Sequence, residues 1–298
     1  MNLNEFCRRL DEEFHVDSVI ETWPLLAQGD PAFQKFAAPQ FLTHGNGLLV
    51  QGEVQVAEVY TAVYPTPAVL EHVAGRAFPG SVLICHVPMW LDGRVGYVPP
   101  DPNGLAELSE RGISLYILHA PLVWAPRLST WRSLARTVGI EIDGEIMADG
   151  KPIGCYGKVD VEPHLAAIFD FSALLLRVEE RLDITNSQVA ENLDSVVGRV
   201  AVVPGDGASP ILLEQADALG CQTYITGILD NPMPDPALRD RSAAFLALAS
   251  THAINLIGAS QYATQAPGMR LLATWAQALG VSASFVPDAP ELVEFLRT

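Results

Sequence analysis

The stretch GRVAVVPGDGASPILLEQADALGCQTYITG, residues 198–227, decides the fold class. GRVAVV is a short apolar run of the kind buried in a sheet covered on both faces. Gly205-Asp206-Gly207 then punctuates it as a turn. SPILLEQADALG reads as a helix and CQTYITG as a second strand. Strand, helix and strand in this order form the repeating unit of a parallel α/β sheet.

The alternation continues in both directions. Towards the C-terminus come a helix around 240–250, the strand AINLIGASQ, a helix within 263–280 and a final strand VSASFVP. Towards the N-terminus, GLLVQG (47–52) and VAEVYTAVY (56–64) read as strands. Thr66-Pro67 opens a helix through Ala77, with Thr66 as N-cap and Pro67 in the first helical position. SVLICHVP (81–88) and ISLYILHAPL (113–122) are further strands, separated by a helix at 104–111 that Gly112 ends. STWRSLARTVG (129–139) is the next helix. In the middle, IEIDGEI and IGCYGKVD read as strands around an Asp149-Gly150 turn, and Pro163 as the opening of a short helix. The expectation is two α/β domains with mixed, mostly parallel sheets sandwiched by helices. The first spans 1–128 and the second 129–298, with segments from about 250 packing back on the first.

A chain of 298 residues matches about two domains at roughly 150 residues each. Hydrophobic residues make up 49%, enough for a core in each. The 18 Lys and Arg against 35 Asp and Glu leave a net charge of −17, which repels phosphate backbones and argues against nucleic acid. The four cysteines, Cys7, Cys85, Cys155 and Cys221, form no CxxC pair, and three lie in apolar strand-like runs, as reduced buried thiols do. MNLNEFCRRLDEEF reads as an amphipathic helix and not as a signal peptide. No stretch approaches the ~18 apolar residues of a membrane span. A cytoplasmic protein without membrane attachment is expected.

In open α/β sheets, function gathers at the carboxyl ends of strands. Three such ends carry unusual polar residues: Cys85-His86-Val87-Pro88, His119-Ala120-Pro121 and Ser260-Gln261-Tyr262. A lone histidine at a strand end is more often structural than a ligand. Cys85 with His119 forms a possible nucleophile and base, though Cys85 and His86 point to opposite faces of their strand and a plain buried thiol is the commoner case. Gly205-Asp206-Gly207 sits where phosphate-binding turns occur. It lacks both the GK[ST] of a P-loop and the third glycine of a dinucleotide fingerprint, so a tight turn is the better reading. Trp90, Trp124 and Trp131 could line a cleft, with core packing the commoner use.

Six segments together resemble one family. His44-Gly45-Asn46-Gly47-Leu48-Leu49-Val50 is similar to its Asp-Asn-Val-Gly-Leu segment, and Ile84-Cys85-His86-Val87-Pro88 to its Ser-His-His-Pro strand end. Leu118-His119-Ala120-Pro121-Leu122-Val123 falls where it has Ala-His-Thr-Asn-Leu-Asp. The run from Val200 to Ser209 is similar to its Val-Ala-Val-Cys-Gly-Gly-Ser-Gly-Ser turn, and Tyr224-Ile225-Thr226-Gly227 to the strand that follows. Gln261-Tyr262-Ala263-Thr264-Gln265 resembles its His-Tyr-x-x-Glu. The family is the Nif-three-like family, also called GTP cyclohydrolase I type two. The resemblance, in order from about 41 to 285, implies its two-domain α/β fold and a ring-like hexamer.

It also implies two divalent metals held between the domains by two adjacent histidines, an aspartate and a late His/Glu pair. Those five positions here are His86, Val87, Val123, Gln261 and Gln265. Only His86 keeps a ligand side chain. Valine has no donor, and a neutral amide is a poor substitute for imidazole or carboxylate around a transition metal. With no Asp or Glu in either matched strand end, nothing offsets four positive charges. His119 matches a further family histidine, so His86, His119 and water could hold one ion weakly. The expectation is a degraded metal site with no cofactor or one weakly bound divalent metal. Asn46, Cys85, His86, His119, Gln261 and Gln265 would line a cleft for a small molecule. A non-catalytic, ligand-binding paralogue is favoured over a metal-dependent hydrolase of a nucleotide or heterocycle.

Overall fold

The computed structural model describes residues 1–21, 31–92, 96–165, 168–231 and 235–288. The chain divides into two compact units. The first comprises 1–92, 97–128 and 269–289; the second comprises 93–96, 129–268 and 290–298.

The elements of the first unit begin with α1 (Leu3–Phe14), α2 (Pro31–Phe36), α3 (Pro39–His44), β1 (Gly47–Val50), β2 (Glu58–Ala62) and α4 (Pro67–Arg76). They continue with β3 (Val82–Cys85), a ribbon of β4 (Trp90–Asp92) and β5 (Gly96–Val98), α5 (Pro102–Glu110), β6 (Ser114–Ile117) and α6 (Ala120–Val123). The sheet order is β1-β6-β3-β2-β13, where β13 is Ser282–Phe285; β6, β3, β2 and β13 run parallel and β1 antiparallel. The helix expected after Thr66 forms as its cap dictates: Thr66 accepts from the Val69 N–H at 3.3 Å and Pro67 takes the first position. Its inner face (Val69, Leu70, Val73, Ala74) joins Leu83, Cys85, Leu105, Leu115 and Ile117 in one apolar core. Phe6 and Phe14 of α1 pack on Trp275 with ring centroids 6.3 and 5.5 Å apart.

The second unit contains α7 (Thr130–Val138), β7 (Ile140–Ala148), β8 (Lys151–Val159), α8 (Phe171–Leu182) and β9 (Gln188–Ala190). There follow β10 (Arg199–Val203), α9 (Pro210–Ala218), β11 (Cys221–Thr226), α10 (Pro236–Thr251), β12 (Asn255–Gly258) and α11 (Gln261–Ala278), whose last residues count with the first unit. Its sheet order is β7-β8-β10-β11-β12-β9, with β10, β11 and β12 parallel. The other three pairings are antiparallel. This is more antiparallel pairing than the alternation of elements predicts. Part of the reason is local: Asp149 (φ 49°) and Gly150 (φ 73°) close β7 onto β8 in a turn that needs positive φ at both central positions.

Two expectations need correction. Pro163 opens no helix; 163–165 is a turn closed by the Leu165 N–H on the Glu162 carbonyl at 2.9 Å. The strand expected to reach Gln261 ends at Gly258, because Ser260 turns left-handed (φ 68°) and Gln261 already belongs to α11. No helix among the described residues is long and apolar enough to cross a membrane.

Candidate functional site

In the first unit, β3 and β6 lie side by side, and their carboxyl ends deliver His86 and His119. The Leu118 N–H bonds the Cys85 carbonyl at 3.0 Å, which carries the pairing past the strand ends. The two imidazole centroids are 4.9 Å apart. His86 is fully buried and its Nδ1 lies 3.0 Å from the Leu118 carbonyl. A carbonyl can only accept, so Nδ1 carries the proton and Nε2 holds a lone pair. That Nε2 is buried without a hydrogen-bond partner. Burial, reinforced by the nearby His119, pushes the His86 pKa down to about 3, so the ring is neutral at physiological pH.

A residue that no motif pointed to completes the group. Glu21 places Oε1 2.6 Å from His119 Nδ1. Its Oε2 accepts from Asn46 Nδ2 at 2.6 Å and from the Ala120 N–H at 3.0 Å. Asn46 closes the circuit by accepting the His119 N–H at 2.8 Å. The Glu21 N–H bonds the His44 carbonyl at 2.9 Å, which fixes the segment. Burial alone would raise the Glu21 pKa; the charge of His119 and the bonds from His119, Asn46 and Ala120 outweigh it and hold it down at about 2. The sequence offers an aspartate-free, glutamate-free pair of strand ends, yet a carboxylate stands against them.

The other expected residues divide between the units. Asn46 is the buried linchpin just described. Cys85 faces the apolar core, and burial followed by the charge of Asp288 keeps its thiol far from ionising. It is placed as a packing residue and not with His119. Val87 is buried, and Val123 lies in α6. Trp131 is a core residue of the second unit.

Gln261 and Gln265 lie in the second unit, one turn apart at the start of α11, both more than nine-tenths buried. They stand at the carboxyl edge of β10, β11 and β12. Below them, Thr264 Oγ1 accepts the Gly205 N–H at 3.0 Å, and Thr226 Oγ1 accepts the Gly207 N–H at 3.1 Å. Tyr224 adds a bond to the Gly207 carbonyl at 2.8 Å. Both glycine amides of the turn are therefore taken by threonine hydroxyls, and Asp206 between them pairs with Arg241 at 2.5 Å. A phosphate needs free amides and no carboxylate, so the tight-turn reading of Gly205–Gly207 is the one its bonding supports.

Among the described residues, no group of three or more His, Cys, Asp or Glu is placed to hold a metal ion. Beside the histidines, Glu21 engages His119 through Oε1 and Asn46 and Ala120 through Oε2.

A family model described as Duf34/NIF3 (NGG1p interacting factor 3) matches residues 35–248. The chain belongs to this family. Curated relatives carry the name GTP cyclohydrolase 1 type 2 homolog. The one from Yersinia pestis is 26% identical over 245 residues, 82% of this chain and 86% of the relative. That of Escherichia coli K12 is 27% identical over 231 residues, 77% and 83% of the two chains. Solved structures share the fold. Protein ybgI, a protein of unknown function, aligns with a TM-score of 0.70 at 22% identity over 97% of this chain and 99% of its own. TTHA1606 from Thermus thermophilus gives 0.64 at 20% identity over the same shares. HcgD from Methanocaldococcus jannaschii gives 0.60 at 18% over 85% and 93%.

Proposed function

We propose that this chain is a ligand-binding member of the Duf34/NIF3 family that holds no two-metal centre and performs no metal-dependent hydrolysis. The observation that carries the reading is the state of Glu21. Among the described residues it is the carboxylate bonded beside the histidines, and its oxygens already serve His119, Asn46 and Ala120. The matched positions Val123, Gln261 and Gln265 add no charge. Two divalent ions bring four positive charges, and transition metals of this kind draw on imidazole and carboxylate together. The donors at these positions do not fit that group.

What Glu21 does instead is orient an imidazole. A carboxylate on Nδ1 fixes the tautomer and ring position of His119, as it does in many sites where the other nitrogen meets a ligand. His86 beside it presents a neutral acceptor at Nε2. A second reading is a hydrolase of a nucleotide or heterocycle that uses one weakly held divalent ion. It rests on that His86 lone pair.

Elemental analysis of protein purified without chelator separates these readings. Less than one transition metal per chain is expected. Two tightly bound ions would overturn the proposal, and one stoichiometric ion would favour the second reading. A cytoplasmic homo-oligomer, a hexamer by family resemblance, that binds a small molecule and neither nucleic acid nor membrane completes the proposal. Light scattering that gives a stable monomer at micromolar concentration would refute the assembly.

A further inference from the structure

The carboxyl edge of the second unit's parallel strands holds polar atoms that the fold leaves unanswered. Gln265 is 6% exposed, and its Oε1 has no hydrogen-bond donor. The side chain is directed onto the turn after β10: its Nε2 lies 2.6 Å from the point a Cβ on Gly205 would occupy. Next to Gly205, Asp206 uses Oδ2 on Arg241, while its Oδ1 is buried without a partner. Arg241 likewise leaves Nε buried and unpartnered. One helix turn, one strand-end turn and α10 thus supply two acceptors and one donor to the same edge.

Buried polar atoms without partners are costly, so a fold keeps several together only where something answers them. The ligand that would do so can be read from the atoms. Two acceptors call for N–H groups, and one donor calls for a carbonyl. Asp206 and Arg241 neutralise each other, so the ligand carries no net charge. In open α/β sheets this edge is also where small molecules bind.

We propose that the carboxyl edge of β10, β11 and β12 binds a neutral molecule carrying a primary amide or ureido group, with Gln265 and Asp206 accepting its N–H groups and Arg241 donating to its carbonyl. This rests on the ligand-binding reading above and gives it a ligand chemistry.

The test uses the full-length protein and three probes of one shape: benzamide, benzoate and acetophenone. Only benzamide offers both N–H donors and a carbonyl; benzoate is an anion without donors, and acetophenone accepts only. Binding is followed by ligand-observed NMR and by the ¹⁵N–¹H signal of the Gln265 side-chain amide. Benzamide is expected to saturate at millimolar concentration, shift that signal and lose at least tenfold in affinity in Gln265→Leu. The other two probes should bind at least tenfold more weakly than benzamide to the wild type. Should Gln265→Leu fail to fold by circular dichroism, Asp206→Asn removes one acceptor and should weaken benzamide at least threefold. Benzoate binding as tightly as benzamide would overturn the proposal, as would no benzamide binding or binding unchanged in the variants. Any of these in protein with less than one metal per chain sinks this inference alone, whereas two tightly held metals would sink the reading beneath it.

Discussion

The neutrality of buried His86 can be tested by taking away its ability to titrate. Asn places an amide N–H near the position of Nδ1, so His86→Asn keeps a donor for the Leu118 carbonyl and removes the ionisation. In the folded wild type the His86 pKa lies at about 3, against an ordinary value of roughly 6.5 in the unfolded chain. The folded value is depressed, so the unfolded chain takes up the proton first. Stability is therefore fully present above pH 6.5 and drains away as pH falls towards 3. At ~1.4 kcal/mol per unit, the wild type should lose about 2 kcal/mol between pH 6.5 and 5, and about 5 by pH 3, relative to the variant. The comparison must be a difference, because Asp288 works in the opposite direction: burial, against the bond from Thr66, lifts its pKa to about 7. Both proteins share that carboxyl, so it cancels. Urea unfolding of the two proteins at pH 8, 6.5, 5 and 4 gives the curve. A difference that stays flat across this range would refute the placement of a neutral, fully buried imidazole at the end of β3.

Glu21→Gln should cost about 3 kcal/mol near pH 6, and the cost should shrink as pH falls from 4.5 towards 2, because the depressed carboxylate pKa contributes only above those values; chemical denaturation across pH reads both. Asp288→Asn should do the reverse, gaining about 4 kcal/mol on the wild type as pH rises from 3.8 through 7, since the raised folded pKa makes ionisation costly there; the same titration detects it. Gly205→Ala should destabilise by about 1–3 kcal/mol, because the residue sits at φ 72° and a methyl would meet the Gln265 amide at 2.6 Å; thermal unfolding with the Gly220→Ala control (φ 75°, open space) separates clash from backbone strain.

Much of the fold was legible because its signals are local. Thr66-Pro67 starts a helix by a bond that spans three residues, and Asp149-Gly150 closes a hairpin by its own φ angles. The pairing of β12 with β9 had no such signal, since Gln188–Ala190 is short and its register is set by strands distant in sequence. The site divides in the same way. His86 and His119 follow the strand ends their motifs mark, whereas Gln261 and Gln265 open a helix beyond the strand expected to hold Gln261. Glu21 stands 98 positions from the histidine it binds and lies in no periodic or motif-bearing run. Only the folded chain reveals that its carboxylate is buried, and burial is what makes it matter. The Asp206–Arg241 pair escaped notice for the same reason: surface charges at those spacings are usually solvated.

The two threonines under the glutamines have a consequence for exchange and for change. Thr226 ends β11 and Thr264 lies in α11, yet each is tied to a glycine amide of the turn after β10. Three separate connections are thereby laced by side-chain oxygens to main-chain nitrogens. The Gly205 amide should exchange with solvent when α11 opens and the Gly207 amide when the end of β11 does, so the two report separately on what holds the turn. The lacing also makes no use of Gln261 or Gln265. Side chains at those two places can change while the ground they stand on stays laced to itself. A scaffold built this way can keep its backbone while the chemistry it presents is rewritten.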